Sequence, residues 1–305
     1  MEKLRQAGYE IKRRMPELII SENEPMSAHC SFKIGGPAAF MAKPCSISQT
    51  RELVSLLNEF DISPLIMGKG TNLLVTDEPL NRFVIRFGDE LSEISQTGGD
   101  TLTAGCGATL AQLAKRAQSR GLDGLCFAHG IPGTVGGGVS MNAGAYGGEM
   151  KDVIKSVTYL DEGLKLKTIS GEHCRFKYRQ SMFTGTGCII LSCQVQLVPG
   201  EPLEIEEKMR ELMAKRKQSQ PLNMPSAGST FKRPENGYAA EMIDKAGLRG
   251  YTVGAAQVSE KHCGFVVNRG GAGFCDVLKL MEHIQNRVFE RFGVMLEPEV
   301  KIIKN

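Results

Sequence analysis

The stretch His129-Gly-Ile-Pro-Gly-Thr-Val-Gly-Gly-Gly-Val-Ser-Met-Asn-Ala-Gly-Ala-Tyr-Gly-Gly148 places eight glycines among twenty residues. Glycine loses more backbone freedom on folding than any other residue and brings no side chain to a core, so packing alone does not account for the run. Something must approach that backbone closely. Successive amides without flanking side chains can wrap a diphosphate, as glycine-rich loops do around nucleotide cofactors. A flexible linker is the plain alternative, but Ile131, Val135, Val139 and Met141 punctuate the run and it is not serine-rich as a linker is. Loops this long inside a compact domain are usually functional.

A second glycine loop, Gly68-Lys69-Gly70-Thr71-Asn72, lies upstream. It is not a Walker loop: position 63 is serine where glycine is required, and glycine follows Lys69 where serine or threonine is required. The longer run lacks the Gly-x-Gly-x-x-Gly spacing between a first strand and helix, which argues against a Rossmann domain. The two loops would have to share one large ligand, and an extended dinucleotide such as FAD fits that better than ATP does.

Around these loops the chain reads as a mixture of helices and strands. Leu53, Leu56, Leu57 and Phe60 share one face of a helix over Ser48–Phe60, with Ser48 as its N-cap. Strands follow at Pro64–Met67 and Phe83–Arg86, and a helix at Leu110–Arg120 stops at Gly121, where a left-handed turn costs glycine least. Lys151–Leu197 reads as antiparallel strands, with Asp161-Glu162-Gly163 as a turn and Ile189–Leu197 as the return strand. After Pro199-Gly200 come helix Leu203–Lys217, strand Phe265–Val267, helix Asp276–Arg291 and strand Val300–Ile303. A domain boundary is expected near residue 200.

Composition narrows the function classes. With 305 residues, 41% of them hydrophobic and a net charge of +3, the chain is an ordinary globular protein for which nucleic acid is not the expected partner. No run approaches the roughly 18 apolar residues of a membrane span, and Met1–Gly8 is too polar to begin a secretory signal, so a cytoplasmic, membrane-free protein is expected. Its nine cysteines are odd in number and show no Cys-x-x-Cys pair, which points to reduced, mostly buried thiols. The five histidines show no helical ligand spacing, so no metal is expected.

Seven motifs occur in one order: Ser31-Phe-Lys-Ile-Gly-Gly36, Gly68-Lys-Gly-Thr-Asn-Leu-Leu74, Gly130-Ile-Pro-Gly-Thr-Val-Gly-Gly137, Met141-Asn-Ala-Gly-Ala-Tyr-Gly-Gly-Glu149, Tyr178-Arg-Gln-Ser-Met-Phe183, Pro225-Ser-Ala-Gly-Ser-Thr-Phe-Lys-Arg-Pro234 and Leu296-Glu-Pro-Glu-Val300. In that order they resemble the UDP-N-acetylenolpyruvoylglucosamine reductase family over nearly the whole chain. The Ser-Ala-Gly-Ser form of the serine motif, and no extra tyrosine loop after Phe183, look like the family's shorter subtype. Gly138 is a departure, since alanine is the commoner residue there.

The resemblance implies an α+β fold: a vanillyl-alcohol-oxidase-like (PCMH-type) two-lobed FAD-binding fold, with lobes 1–90 and 91–200, followed by a smaller α/β substrate domain, 201–305. It implies non-covalent FAD, with NADPH as hydride donor and UDP-N-acetylglucosamine enolpyruvate as substrate, in a monomer or weak oligomer. Its cofactor residues fall on Lys33, Ile34 and Gly35; on Gly68, Lys69, Gly70, Thr71, Asn72 and Leu73; on Gly130, Ile131, Pro132, Gly133, Thr134, Gly136 and Gly137; and on Asn142, Ala143 and Gly144. Tyr146 packs against the flavin or the loop.

The same resemblance makes Arg179 the cation facing the developing enolate, Glu299 its carboxyl partner and Ser229 the proton donor. A carboxylate beside an enolate would repel it, so Glu299 would be protonated or bridged by a hydrogen bond, with a raised pKa. A hydroxyl is a feeble acid, but an enolate is a base strong enough to take its proton. Taken singly, each residue has an ordinary use: Arg179 as a surface arginine on a strand end, Ser229 as a turn or cap serine beside Gly228, Glu299 as a flank to Pro298. Lys217, Tyr178, Arg233 and His262 are the substrate-binding candidates, although Lys215-Arg216-Lys217 would also suit a helix C-terminus by the helix dipole. A flavin oxidase of the same fold, with His129 as a tether, and a silent UDP-sugar-binding protein are the competing readings.

Overall fold

The computed structural model describes residues 2–305. Seven helices are present in it: α1 (Glu2–Arg14), α2 (Ile47–Glu59), α3 (Leu110–Ser119), α4 (Val135–Ser140), α5 (Pro202–Ser219), α6 (Ala239–Lys245) and α7 (Phe274–Phe292). The chain folds into two compact units, each built from separate stretches. The first comprises Met1–Glu22, Phe40–Lys69 and Arg82–Lys215; the second comprises Asn23–Ala39, Gly70–Asn81 and Arg216–Asn305.

In the first unit α2 buries Leu53, Leu56 and Leu57, as their spacing predicts, each such side chain contributing about 1.5–3 kcal/mol when fully buried. Its cap is Ser46 and not Ser48: the Ser46 side chain accepts the Gln49 amide, which it can reach because the helix begins at Ile47. Leu65–Met67 pairs in parallel with Val84–Arg86. α3 opens on a reciprocal box between Thr109 and Gln112 and ends before Gly121, whose φ is +65°.

A five-stranded antiparallel sheet completes this unit, in the order Leu166–Ser170, Ile154–Leu160, Ile189–Gln196, Thr101–Gly105, Ile94–Gly98. Its register sets Val157 opposite Cys193, and Cys193 opposite Ala104. These central residues are buried, so the sheet is specified by its apolar face. The expected turn at 161–163 joins two of its strands, with Leu164 taking the left-handed φ of 59°.

The second unit has a four-stranded antiparallel sheet, ordered Ser226–Ser229, Phe265–Asn268, Ala256–Val258, Thr252–Val253. α7 buries Val277, Leu280, Met281, Ile284 and Val288 in a core that also takes Phe32, Ile34 and Leu74 from far upstream. The C-terminal strand Lys301–Ile303 pairs in parallel with Leu73–Val75. The units divide within α5, between Lys215 and Arg216, so most of that helix belongs with the first unit.

Candidate active site

In the first unit the two glycine loops meet. A Cβ on Gly68 would lie 2.2 Å from Thr134 Oγ1, so only glycine allows that approach. Thr134 is buried, caps α4 and accepts the Gly137 amide. The run is stitched down by Val135 N–H to the Ala108 carbonyl (2.7 Å) and by Gly136 N–H to the Cys106 carbonyl (2.9 Å). Gly133 takes φ +140° and Gly147 φ +87°. At Gly138 a Cβ would meet Leu110 Cδ2 at 3.1 Å, so glycine relieves a tight contact there.

His129, at the start of the run, has a buried Nδ1 that meets no hydrogen-bond partner among the described residues. Burial, helped by the charge of Lys115, pushes its pKa down and keeps the ring neutral. Convergent glycine backbones and an unsatisfied buried polar atom fit a large dinucleotide, and these are the first unit's share of the residues that would hold FAD. Tyr146 is 47% exposed at φ 53°, displayed outward and not packed into a core.

Arg179 lies in a tight turn and not on the strand end that its sequence context suggested. Lys177 and Gln180 exchange both backbone hydrogen bonds, at 2.9 and 3.2 Å, and Arg179 between them has φ 54°. A non-glycine residue held there stores about 1–3 kcal/mol of strain, a cost met most often at functional sites. Both guanidinium NH groups donate to the Gly144 carbonyl at 3.4 Å, and the guanidinium carbon sits 5.2 Å from the Tyr178 ring centroid. Tyr178 is exposed.

The turn is tied to the glycine run through Asn142, which is 1% exposed with φ 46°. Asn142 Nδ2 donates to Glu149 Oε2 (2.8 Å) and to the Lys177 carbonyl (3.1 Å), while its Oδ1 accepts the Lys151 amide (2.9 Å). Burial alone would raise the Glu149 pKa. Hydrogen bonds from Lys151 and Asn142 and the charges of Lys151 and Arg179 outweigh it and hold the carboxyl below its ordinary value.

In the second unit the remaining cofactor candidates gather on two adjoining segments. Ser31 N–H donates to the Gly70 carbonyl at 3.2 Å, and Ser31 Oγ donates to the Ser226 carbonyl at 2.6 Å. Lys33 is exposed at φ 58°, Ile34 turns into the core, and Gly35 at φ +142° fits between Met26 and Val75, where a Cβ would lie about 3 Å from each. Ile34 therefore has only its backbone to offer a ligand.

Ser229 follows Gly228, whose φ of +77° makes the irregularity between Ser226 and Ser229 in their pairing with Val267 and Phe265. Thr230 is buried and accepts the Val266 amide on Oγ1 at 3.0 Å. Glu299 N–H donates to the Thr230 carbonyl at 2.9 Å, and Asn72 Nδ2 donates to the Glu299 carbonyl at 3.0 Å. The serine segment, the glutamate segment and the Asn72 loop are thus one hydrogen-bonded assembly within this unit.

The other substrate candidates are more scattered. The Lys217 carbonyl accepts the Lys261 ammonium. Arg233 lies over the Tyr238 ring, 4.1 Å from its centroid. His262 packs edge-on to Phe265 and accepts the Gly264 amide on Nδ1 at 3.2 Å; burial pushes its pKa down. A cleft of about 600 Å³ lined by Arg14, Ile47, Arg51 and Leu166 contains none of the residues assigned to the site. Among the described residues no cluster of metal-ligating side chains forms, and no helix is long and apolar enough to cross a membrane.

The motif alone places Glu149 at the end of a glycine run and gives Thr230 no role. A glutamate closing a glycine run, and a threonine directly after the Ser-Ala-Gly-Ser strand, are the signals in the sequence.

The chain is similar to known proteins over most of its length. A family model described as the C-terminal domain of UDP-N-acetylenolpyruvoylglucosamine reductase matches residues 220–303, and one described as an FAD binding domain matches residues 38–169. A protein named UDP-N-acetylenolpyruvoylglucosamine reductase from Agathobacter rectalis is 47% identical over 304 residues, covering 96% of each chain. One of the same name from Caldanaerobacter subterraneus subsp. tengcongensis is 47% identical over 281 residues, covering 92% of each. The crystal structure of UDP-N-acetylenolpyruvylglucosamine reductase from Thermus caldophilus is 31% identical and superposes with a TM-score of 0.80, covering 94% of this chain and 99% of that one.

Proposed function

The chain belongs to the UDP-N-acetylenolpyruvoylglucosamine reductase family, and from that premise we propose how its residues divide the work. It is an FAD-dependent oxidoreductase of peptidoglycan precursor synthesis, with the two-lobed FAD-binding fold and a smaller C-terminal domain. It reduces the enolpyruvyl group of UDP-N-acetylglucosamine enolpyruvate to give UDP-N-acetylmuramate, with NADPH as reductant. Our reading assigns lobes 1–90 and 91–200 to the cofactor and 201–305 chiefly to the substrate, in a cytoplasmic monomer or weak oligomer of the shorter subtype.

Bound FAD would supply hydride chemistry, with NADPH as the source and the terminal methylene carbon of the enolpyruvyl group as the destination. The residues around Gly68, Lys69 and Gly130–Gly144, with Lys33–Gly35 and Gly70–Leu73, would hold it through backbone amides. Negative charge then grows on the substrate carboxylate. The Arg179 guanidinium, already fixed by its turn, stabilises that charge without having to reorient. Ser229 Oγ–H gives its proton to the adjacent carbon. Glu299, protonated or bridged by a hydrogen bond, supports the same enolate. Lys217 would contact the UDP diphosphate, with Tyr178, Arg233 and His262 as further substrate contacts.

The observation that carries this reading is the clamp that holds the Glu299 backbone to Thr230, next in sequence to Ser229. The test is anaerobic: NADPH bleaches the bound flavin, and UDP-N-acetylglucosamine enolpyruvate is then added. Recovery of the oxidised spectrum with formation of UDP-N-acetylmuramate supports the reading. A flavin that recovers only when oxygen is admitted indicates an oxidase instead, and a protein that holds no flavin indicates a binding protein.

A further inference from the structure

Glu149 has no role in the reaction as set out above, yet it sits at a junction. Its backbone N–H donates to Asp152 Oδ2 at 2.8 Å, and its carboxylate pairs through Oε2 with Lys151 Nζ at 2.9 Å and receives Asn142 Nδ2 on the same oxygen at 2.8 Å. The other Nδ2 contact of Asn142 is the Lys177 carbonyl, the same oxygen that receives the Gln180 amide and closes the turn carrying Arg179. Gly144, whose carbonyl receives the guanidinium, lies directly opposite Glu149 in strand register. One carboxylate therefore ties together the segments 142–144, 149–152 and 177–180.

We infer that Glu149 is a positioning residue for Arg179: through Asn142 it fixes the Lys177–Gln180 turn, and through its pairing with Gly144 it fixes the carbonyl on which the guanidinium rests. The inference rests on the proposed role of Arg179. Its physical content is preorganisation, because a cation that stabilises growing charge does so best when its supporting shell has already set its direction. The chemistry calls for a carboxylate here. Two donors, Lys151 Nζ and Asn142 Nδ2, converge on Oε2, and glutamine would keep an acceptor oxygen there but lose the negative charge that faces Lys151 and Arg179. Glu149→Gln thus disturbs the junction while conserving size.

A purely local ion pair with Lys151 would behave differently, since its loss would lower stability without reference to Arg179. The experiment compares wild-type holoenzyme, Glu149→Gln, Arg179→Ala and the double variant. It follows flavin recovery on addition of UDP-N-acetylglucosamine enolpyruvate, together with the 15N relaxation of the Arg179 Nε–H in selectively labelled protein. Glu149→Gln should slow recovery by about 10- to 100-fold, the cost of a small misplacement, and should make the Arg179 Nε–H more mobile. In the Arg179→Ala background the same change should cost nothing further.

Equal slowing by Glu149→Gln in both backgrounds, or an unchanged Arg179 order parameter, overturns the inference. Wild-type recovery in Arg179→Ala alone removes the catalytic role of the arginine, and the relaxation measurement still decides whether Glu149 holds it. Should Glu149→Gln fail to fold, Glu149→Asp keeps the charge one methylene short and should show the same dependence on Arg179.

Discussion

The backbone N–H of Glu299 donates to the Thr230 carbonyl across 2.9 Å, joining two segments about seventy residues apart in sequence at the position after Ser229. The two proposed reacting side chains of the second unit are therefore carried on one rigid piece of backbone, and Gly228 at φ +77° sets how the serine leaves the strand. Gly228→Ala meets no neighbouring atom, so its cost is conformational, about 1–2 kcal/mol for a left-handed alanine. Chemical denaturation should show that loss. Turnover should fall more than stability alone explains, because relief of the strain re-aims Ser229.

The contact between Gly68 and Thr134 makes a sharper prediction. Alanine at 68 would place its Cβ 2.2 Å from Oγ1 and 2.8 Å from Cγ2 of a β-branched side chain that has little freedom to turn away. Gly68→Ala should cost about 1–3 kcal/mol, as overpacking does, and should weaken flavin binding measured by fluorescence. Gly98→Ala, with open space around its Cβ, serves as the control and should leave flavin affinity unchanged.

Thiol chemistry separates buried from accessible cysteines. Burial pushes the Cys106 and Cys193 thiols up to about 12, so almost none of either is thiolate at neutral pH. Cys45 and Cys275 are exposed. Brief alkylation of the native protein, read by peptide mass, should label Cys45 and Cys275 and leave Cys106 and Cys193 untouched until the chain is unfolded.

Acid should weaken the fold through its half-buried histidines. Burial lowers the folded-state pKa of both His129 and His262 below 6.5, the value expected when unfolded. As pH falls through 6.5 the unfolded chain takes up protons first, so stability declines, and the decline ends once the lowered folded-state values are passed. Urea midpoints measured from roughly pH 7.5 to 5.5 should fall, and His262→Gln should shallow that slope. An unchanged slope would contradict the assignment for His262.

Much of this was legible in the chain itself. The glycine run and its partner loop, the apolar faces of α2 and α7 and the antiparallel strands after Lys151 follow from periodicity and turn chemistry, which are local properties. The cap at Ser46 was missed because Ser46 and Ser48 are equivalent in sequence, and only the start of the helix at Ile47 chooses between them. The composition of the two units was not legible for a different reason. Asn23–Ala39 and Gly70–Asn81 join the second unit through pairings such as Lys301 with Leu73, which no local pattern encodes. Arg179 was recognised by its motif, but its left-handed turn depends on Asn142 and Lys177, whose meeting is tertiary.

The most direct test of the central claim is the rate at which UDP-N-acetylglucosamine enolpyruvate restores the oxidised flavin spectrum in wild type and in Ser229→Ala, each first bleached by NADPH without oxygen. Loss of a positioned proton donor should slow this step by about 100- to 10,000-fold while the rate of bleaching by NADPH stays the same. Recovery in Ser229→Ala at the wild-type rate would contradict the assignment of the proton to Ser229, and with it the account of how this site completes the reduction.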